Sequence, residues 1–271
     1  MLVCAALIRT NVSSTELRGK LTPTPIRIVP LIGLPEFAPG DNVARLLVEA
    51  VKKQELILKA GSVFVLAQKI VSKAEGRIVR LDSIRPSERA KQWAAQYEKD
   101  PRVVEIVLRE ASSIVRMERG VLIVRTHHGF VCANAGVDVS NVPAGTASLL
   151  PENPDRSART LQEELTRAFG VHLAVIISDT FGRAWREGLV NVALGVAGIA
   201  PLVDYRGQQD AHGKTLHATV IALADELAAA SGLVMGKLNQ VPAVVVQGVT
   251  TPEGTGSGHE LIRPTEKDLF Q

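Results

Sequence analysis

The chain has 271 residues and a mass of 29.0 kDa, enough for one large domain or two small ones packed together, with a core that needs no covalent staples. Hydrophobic residues make up 46% and charged ones 22%, so burial of apolar surface can offset the entropy of ordering the backbone, and wholesale disorder is excluded. The 31 basic and 28 acidic side chains leave a formal charge of +3, too small an excess to imply a nucleic-acid groove and compatible with anionic small molecules.

Residues 1–25 read as an extension, set apart by Ser13-Ser14-Thr15 and the Pro23/Pro25 pair, and residues 26–271 as one domain. Ile26 to Pro30 has a strand pattern. Asn42 to Lys53 repeats Val43, Leu46, Leu47, Ala50 and Val51 at helical spacing, with Asp41 as the expected N-cap. Ser62 to Ala67 is a strand run, and Gln68 to Arg77 reads as a polar strand end. Residues 86–119 read as two helices broken at Asp100-Pro101. A hairpin is expected from Val121–Arg125 and Phe130–Ala133, after which Ala135 to Asn141 leave the strand pattern. Ala158–Ala168 reads as a helix, and Leu173–Ile177 as a buried strand ending at Ser178-Asp179-Thr180. Val190–Ala200 fits neither helix nor strand clearly. Ala218–Met235 is an Ala-rich helix, Ala243–Val246 a strand, and the tail from Thr250 is loop-like. A hairpin within irregularly interleaved strands and helices favours an α+β fold with mixed, largely antiparallel sheets and flanking helices over a doubly wound one.

The two cysteines, Cys4 and Cys132, suggest neither a disulfide framework nor a thiolate zinc site, which fits a reducing compartment. No apolar run approaches the roughly 18 residues of a spanning helix. The opening MLVCAALI lacks a basic start and leads into polar NVSSTE, so a cytoplasmic protein without membrane attachment is expected. The sequence has no GxxxxGK[ST] loop, no GxGxxG after a strand, no HExxH, no CxxC and no GxSxG. Gly254-Thr255-Gly256-Ser257-Gly258 reads as a loose glycine loop rather than a phosphate cradle, and His127-His128 as a turn rather than a metal site.

Two aspartates, Asp138 in NAGVDVSN and Asp179 in SDTFGR, each follow a strand-like run beside small and hydroxylic residues. Strand ends hold carboxylates rigidly, and a hard divalent cation takes one or two carboxylates, a hydroxyl and substrate phosphates. A local turn or cap role is the alternative for either aspartate alone. Basic groups for an anion lie in the same segments: Lys69 and Lys73, Arg183 and Arg186; Arg206 and the acidic Asp210 are further candidates for the site. For each base, a solvated surface ion pair is the competing reading.

The sequence resembles the coenzyme F420-0:L-glutamate ligase family, the γ-glutamyl ligases of deazaflavin cofactor biosynthesis. The resemblance is carried by PLIGLP at Pro30–Pro35, QKIVSKAEGR at Gln68–Arg77, NAGVDVSN, LLPENPDRSAR, SDTFGRAWREG, DYRGQQDAHGKTL and ADELAAASGLVMGK, in order from about Ile26 to about Gly248. It implies an α+β γ-glutamyl ligase that forms a homodimer, with the site near the subunit interface, and that uses GTP and a divalent metal, Mg²⁺ or Mn²⁺. By the same resemblance Asp138, Asp179 and Thr180 match metal ligands. Pro30, Leu31, Ile32 and Gly33 match a GTP-contacting loop. Gln68, Lys69, Lys73 and Asn141, with Met235, Gly236 and Lys237, match further nucleotide contacts. Some members place an acidic metal ligand in that last segment, where this chain has Lys237. The implied reaction phosphorylates the terminal carboxylate of F420-0 and lets L-glutamate displace the phosphate, with repetition extending a γ-linked tail. A metal-dependent nucleotide phosphohydrolase and a non-catalytic nucleotide-binding module are the alternatives, and no catalytic base is assigned.

Overall fold

The computed structural model describes residues 25–252 and 254–269. The expected extension up to residue 24 and Cys4 lie outside them. The first half of the chain forms β1 (Arg27–Pro30), α1 (Val43–Lys53), β2 (Ser62–Ala67), α2 (Gln68–Ala74), β3 (Ile78–Arg80), α3 (Glu88–Gln96), α4 (Pro101–Glu110), β4 (Ala111–Glu118), β5 (Val121–Thr126) and β6 (Val131–Ala133). It continues through β7 (Thr146–Ser148), α5 (Pro154–Phe169), β8 (Leu173–Arg183), β9 (Arg186–Ala197), β10 (Val203–Asp204), β11 (Val220–Ile221), α6 (Leu223–Met235) and β12 (Ala243–Gln247). Mixed α+β content with mostly antiparallel sheets is thus observed.

Five strands make the central sheet in the order β1-β12-β2-β8-β9, antiparallel except for the parallel pair β2/β8. Both of its faces are covered, so its inner strands carry runs of consecutive apolar residues rather than alternating ones. Phe64, Leu66, Val175, Ile177 and Val245 pack against α1 and α5 on one face. Val63, Val65, Ala174, Ile176 and Val244 pack against α6 on the other. A second core lies beneath α3 and α4, where Trp93, Val104 and Val107 meet Leu122 and Val124 of the β4-β5-β6 sheet and Ala147 of the β3-β7 pair.

Several elements differ from the sequence reading. The cap of α1 is Asn42, whose Oδ1 accepts from the Arg45 N–H, while the Asp41 carboxylate accepts from Ala38 instead. Gln68–Ala74 is a helix, too short at seven residues to show a helical repeat; it starts directly where β2 stops. Residues 111–118 form a strand, not the end of a helix, because the Ser112-Ser113-Ile114-Val115 run suits a pleated surface and pairs with β5 through two register shifts. The helix expected from Ala218 begins only at Leu223. Strand β8 runs on past Ile177 to Arg183, and its hairpin partner β9 settles 190–197 as strand.

The glycine run is no loose loop. A Cβ on Gly256 or Gly258 would sit 2.1 Å from the carbonyl oxygen of Ile199 or Leu194, so the tail lies directly against the backbone around β9. The Asp155 carboxylate fastens it there: Oδ1 accepts from the N–H groups of Val196 (3.0 Å) and Gly258 (2.6 Å), and Oδ2 from Ser257 Oγ (2.6 Å) and the His259 N–H (3.4 Å).

Candidate active site

The topology brings the separate motifs to one end of the central sheet. Strands β1 and β2 finish at this end and β12 begins there, while β8 passes it at Ser178 and runs on to Arg183, as shown by Leu31 N–H donating to Ala243 O (2.9 Å), Ala67 N–H to Pro242 O (2.8 Å), and the pairing of Ala67 with Ser178. The C-terminal ends of parallel neighbours are where open sheets carrying helices on both faces usually bind ligands. Here β2 delivers Lys69 in the first turn of α2, and β8 delivers Asp179 and Thr180. Asp138 arrives from the segment after β6: its N–H and C=O both pair with Ser148 (3.1 and 2.8 Å), an isolated bridge on the edge of β7 away from β3.

Lys69 Nζ donates to Asp138 Oδ2 (2.7 Å) and Ser140 O (2.8 Å). Ser140 holds the same carboxylate from the other side, N–H to Oδ1 at 2.7 Å and Oγ to Oδ2 at 2.9 Å. Burial pulls the Asp138 carboxyl upward, but the Lys69 ammonium and the Ser140 donors outweigh it and hold the group below its ordinary value. Asp179 goes the other way. Burial pushes it up to about 6, against the Thr180 N–H and the charges of Lys237 and Lys69, while the Asp138 charge adds to the rise. Thr180 Oγ1 donates to Asn191 Oδ1 (2.9 Å), directly across the β8-β9 hairpin, and accepts from Lys237 Nζ (3.2 Å).

The remaining expected residues sit around this centre with unequal roles. Lys73 is buried on α2 and pairs with Glu36, which is exposed. The loop Pro30–Gly33 is clamped by Gln54, whose Nε2 donates to Pro30 O (2.9 Å) and whose Oε1 accepts from the Ile32 N–H (2.8 Å). Leu31 is fully buried, so only its backbone can meet a ligand, whereas Ile32 is exposed and Gly33 has a positive φ with open space about it. Three ladder steps separate β1 from β8, placing this loop roughly 14 Å along the sheet edge from Asp179. Asn141 is exposed in a left-handed backbone conformation. Met235 belongs to the core, and Gly236 turns the chain out of α6 to present Lys237.

Gln68 is not presented: it is buried, and its Oε1 accepts from Ser72 Oγ at 2.6 Å. Nor are the more distant bases. Arg183 bonds the carbonyls of Glu187 and Gly188 in the exposed hairpin, and Arg206 pairs with Asp204, whose carboxyl it holds at about 2. Asp210 caps a turn by accepting from the N–H groups of His212 and Lys214. The rings of His127 and His128 bond backbone carbonyls of Arg109, Pro151 and Glu152. Among the described residues no three His, Cys, Asp or Glu side chains cluster as a metal cage. What is present is an oxygen donor set of two carboxylates and a hydroxyl, already attracting ammonium groups. It suits a hard cation that takes its other ligands from phosphates and water. Ser140, Asn191 and Glu36 escaped sequence reasoning; Asp-x-Ser is a local signal for the first, and the other two are set by tertiary contacts alone.

Comparison with known proteins supplies the chemistry. The profile of the F420-0:Gamma-glutamyl ligase family matches residues 31–248. Proteins named coenzyme F420:L-glutamate ligase from Methanothermobacter thermautotrophicus and Methanopyrus kandleri are each 45% identical over 91% of this chain, covering 99% and 98% of their own lengths. A relative of the same name from Methanocaldococcus jannaschii is 41% identical over 90% of this chain and 98% of its own. The chain is therefore a ligase of the class that forms amide bonds. It belongs to the F420-0:Gamma-glutamyl ligase family.

Proposed function

We propose that the protein joins L-glutamate to coenzyme F420-0, using GTP and one of Mg²⁺ or Mn²⁺, and that it repeats the step to lengthen a γ-linked tail. The observation that carries this reading is the pairing of Lys69 with Asp138 and of Lys237 with Thr180, the residue after Asp179, where β2 ends alongside β8. A carboxylate is a poor electrophile and needs a leaving group before an amine can displace it. The acceptor's terminal carboxylate attacks the γ-phosphorus of GTP, releasing GDP and leaving an acyl phosphate. The glutamate amine then attacks the acyl carbon and inorganic phosphate departs.

Asp138, Asp179 and Thr180 would hold the divalent ion, which neutralises charge spreading over the transferring phosphoryl oxygens. Lys69 fixes the Asp138 carboxylate in place, and Asn191 fixes the direction of the Thr180 hydroxyl, so these donors need little reorganisation when substrate arrives. The loop Pro30–Gly33 and the lysines Lys69, Lys73 and Lys237 line the sheet edge along which the nucleotide would lie, with Asn141 beside Ser140. Holding both reactants in line supplies on the order of 7–11 kcal/mol in well-oriented systems.

No helix among the described residues is long and apolar enough to cross a membrane; a cytoplasmic homodimer is the state proposed for the enzyme. Mass spectrometry of the products from F420-0, GTP, L-glutamate and Mn²⁺ tests the reaction. Glutamylated F420 with matching GDP release is expected. GDP release that does not depend on glutamate would instead identify a phosphohydrolase. Asp138→Asn or Asp179→Asn should each lower turnover about 100-fold or more without loss of fold, and full activity in either purified variant would remove the metal assignment.

A further inference from the structure

We propose that the cavity beneath α3 and α4 is a binding site for a flat aromatic anion of about two fused rings, distinct from the sheet-end centre and independent of the metal-dependent reading above.

The cavity measures about 240 Å³ and lies in the second core. Its walls are the buried side chains of Trp93, Val104, Val107 and Leu122, and it opens to solvent between the exposed residues Lys99, Asn134 and Val139. An apolar cavity of about 150 Å³ holds one benzene ring, so this volume has room for two fused rings.

The polar groups around the cavity set the charge of its occupant. The Trp93 indole N–H is buried in the wall with no acceptor, an unmet donor of the kind folded proteins rarely keep. At the mouth, neither the Lys99 ammonium nor the Asn134 side-chain amide has an ion-pair or hydrogen-bond partner among the described residues. Asp100, the one acid in the lining, is already spent: it accepts from the Arg102 backbone N–H (2.8 Å) and from Arg102 Nη2 (2.6 Å). Unused donors and a free cation around an apolar space select a ligand with an apolar body and anionic or acceptor oxygens. The rings fill the interior, the anionic group meets Lys99, and a ring acceptor supplies the partner that Trp93 lacks.

The site backs onto the sheet-end centre without sharing its groups. Val139 lines the cavity, whereas Asp138 and Ser140 on either side of it both bond Lys69. An occupant touching Val139 therefore abuts the segment that presents Asp138. The deazaflavin acceptor of the proposed reaction and an unrelated aromatic acid share the required chemistry, and competition separates them.

The test titrates the full chain with 2-naphthoate by isothermal titration calorimetry and follows the indole N–H signals by NMR. The chain has two tryptophans, so Trp185→Phe assigns the Trp93 signal. One site per protomer and a shift of the Trp93 N–H are expected. Affinity should fall about 5-fold in Trp93→Phe, which keeps a ring and loses the donor, and about 10-fold in Lys99→Glu. Binding should be lost in Val139→Trp, which closes the mouth; both of these last residues are exposed, so the test survives if Trp93→Phe fails to fold. Displacement of 2-naphthoate by F420-0 would identify the acceptor's ring as the occupant, and an unchanged isotherm at saturating F420-0 a separate aromatic acid. Absence of heat and of any Trp93 shift with both ligands, or equal affinity in the wild type, Lys99→Glu and Val139→Trp, would overturn the site while leaving the ligase reading intact.

Discussion

Asp155 offers the sharpest test of how the tail is held. Its two carboxylate oxygens accept four hydrogen bonds, two of them from backbone N–H groups of Val196 and Gly258 that are buried away from water. Truncation to alanine strands both donors, and a buried donor without an acceptor costs about 1–3 kcal/mol. The sum is about 2–6 kcal/mol, a large part of the roughly 5–15 kcal/mol that holds a domain together. Asp155→Asn keeps a carbonyl for the Oδ1 pair and forfeits only the acceptor used by Ser257 and His259, so its loss should be about 1 kcal/mol. Urea unfolding followed by circular dichroism measures both, and hydrogen exchange at the Val196 and Gly258 amides locates the effect. A loss below about 0.5 kcal/mol in Asp155→Ala, with both amides still protected, would refute this account.

Other expectations follow from the same contacts. Asp179 binds its proton more tightly in the folded protein than its ordinary 3.8 would allow, so its ionisation costs stability that is absent below about pH 3.8 and fully felt above about pH 6. In metal-free protein, Asp179→Asn should therefore be more stable than the wild type by up to about 3 kcal/mol at pH 8, the gap closing as the pH falls toward 4; thermal unfolding across that range reads it. Burial, with the Asp179 charge adding to it, pushes the Cys132 thiol up to about 12, so iodoacetamide should alkylate Cys132 only after unfolding, as mapped by peptide mass spectrometry. Gly258→Ala would drive a methyl group to 2.1 Å from Leu194 O and should destabilise the protein by about 2 kcal/mol or more in the same urea assay.

Much of the scaffold was legible in the chain because it rests on local patterns. The helical repeat of Val43, Leu47, Ala50 and Val51, the apolar runs of β2, β8 and β12, and the Asp100-Pro101 break between α3 and α4 all report themselves within a dozen residues. Local patterns misled where the deciding partner was remote. Residues 111–118 become a strand because β5 is there to pair with, and the glycine tail is packed because Asp155, about a hundred positions earlier, gathers its amides.

The site divides in the same way. The sequence by itself determined the chemical types available, carboxylates beside hydroxyls at strand ends and lysines on the following turns, because those residues and their strand-end context are adjacent in the chain. Only the tertiary structure decided which of them meet. Lys69 lies 69 positions from Asp138, and Lys237 lies 57 from Thr180. Neither pairing leaves a local trace, since each is made by strands and helices whose order in the sheet differs from their order in the chain. Packing likewise turned Gln68 inward to Ser72 and left Lys69, its neighbour, facing Asp138. On a helix one step of about 100° separates interior from site, and the burial of neighbouring elements, not the residue type, selects the face.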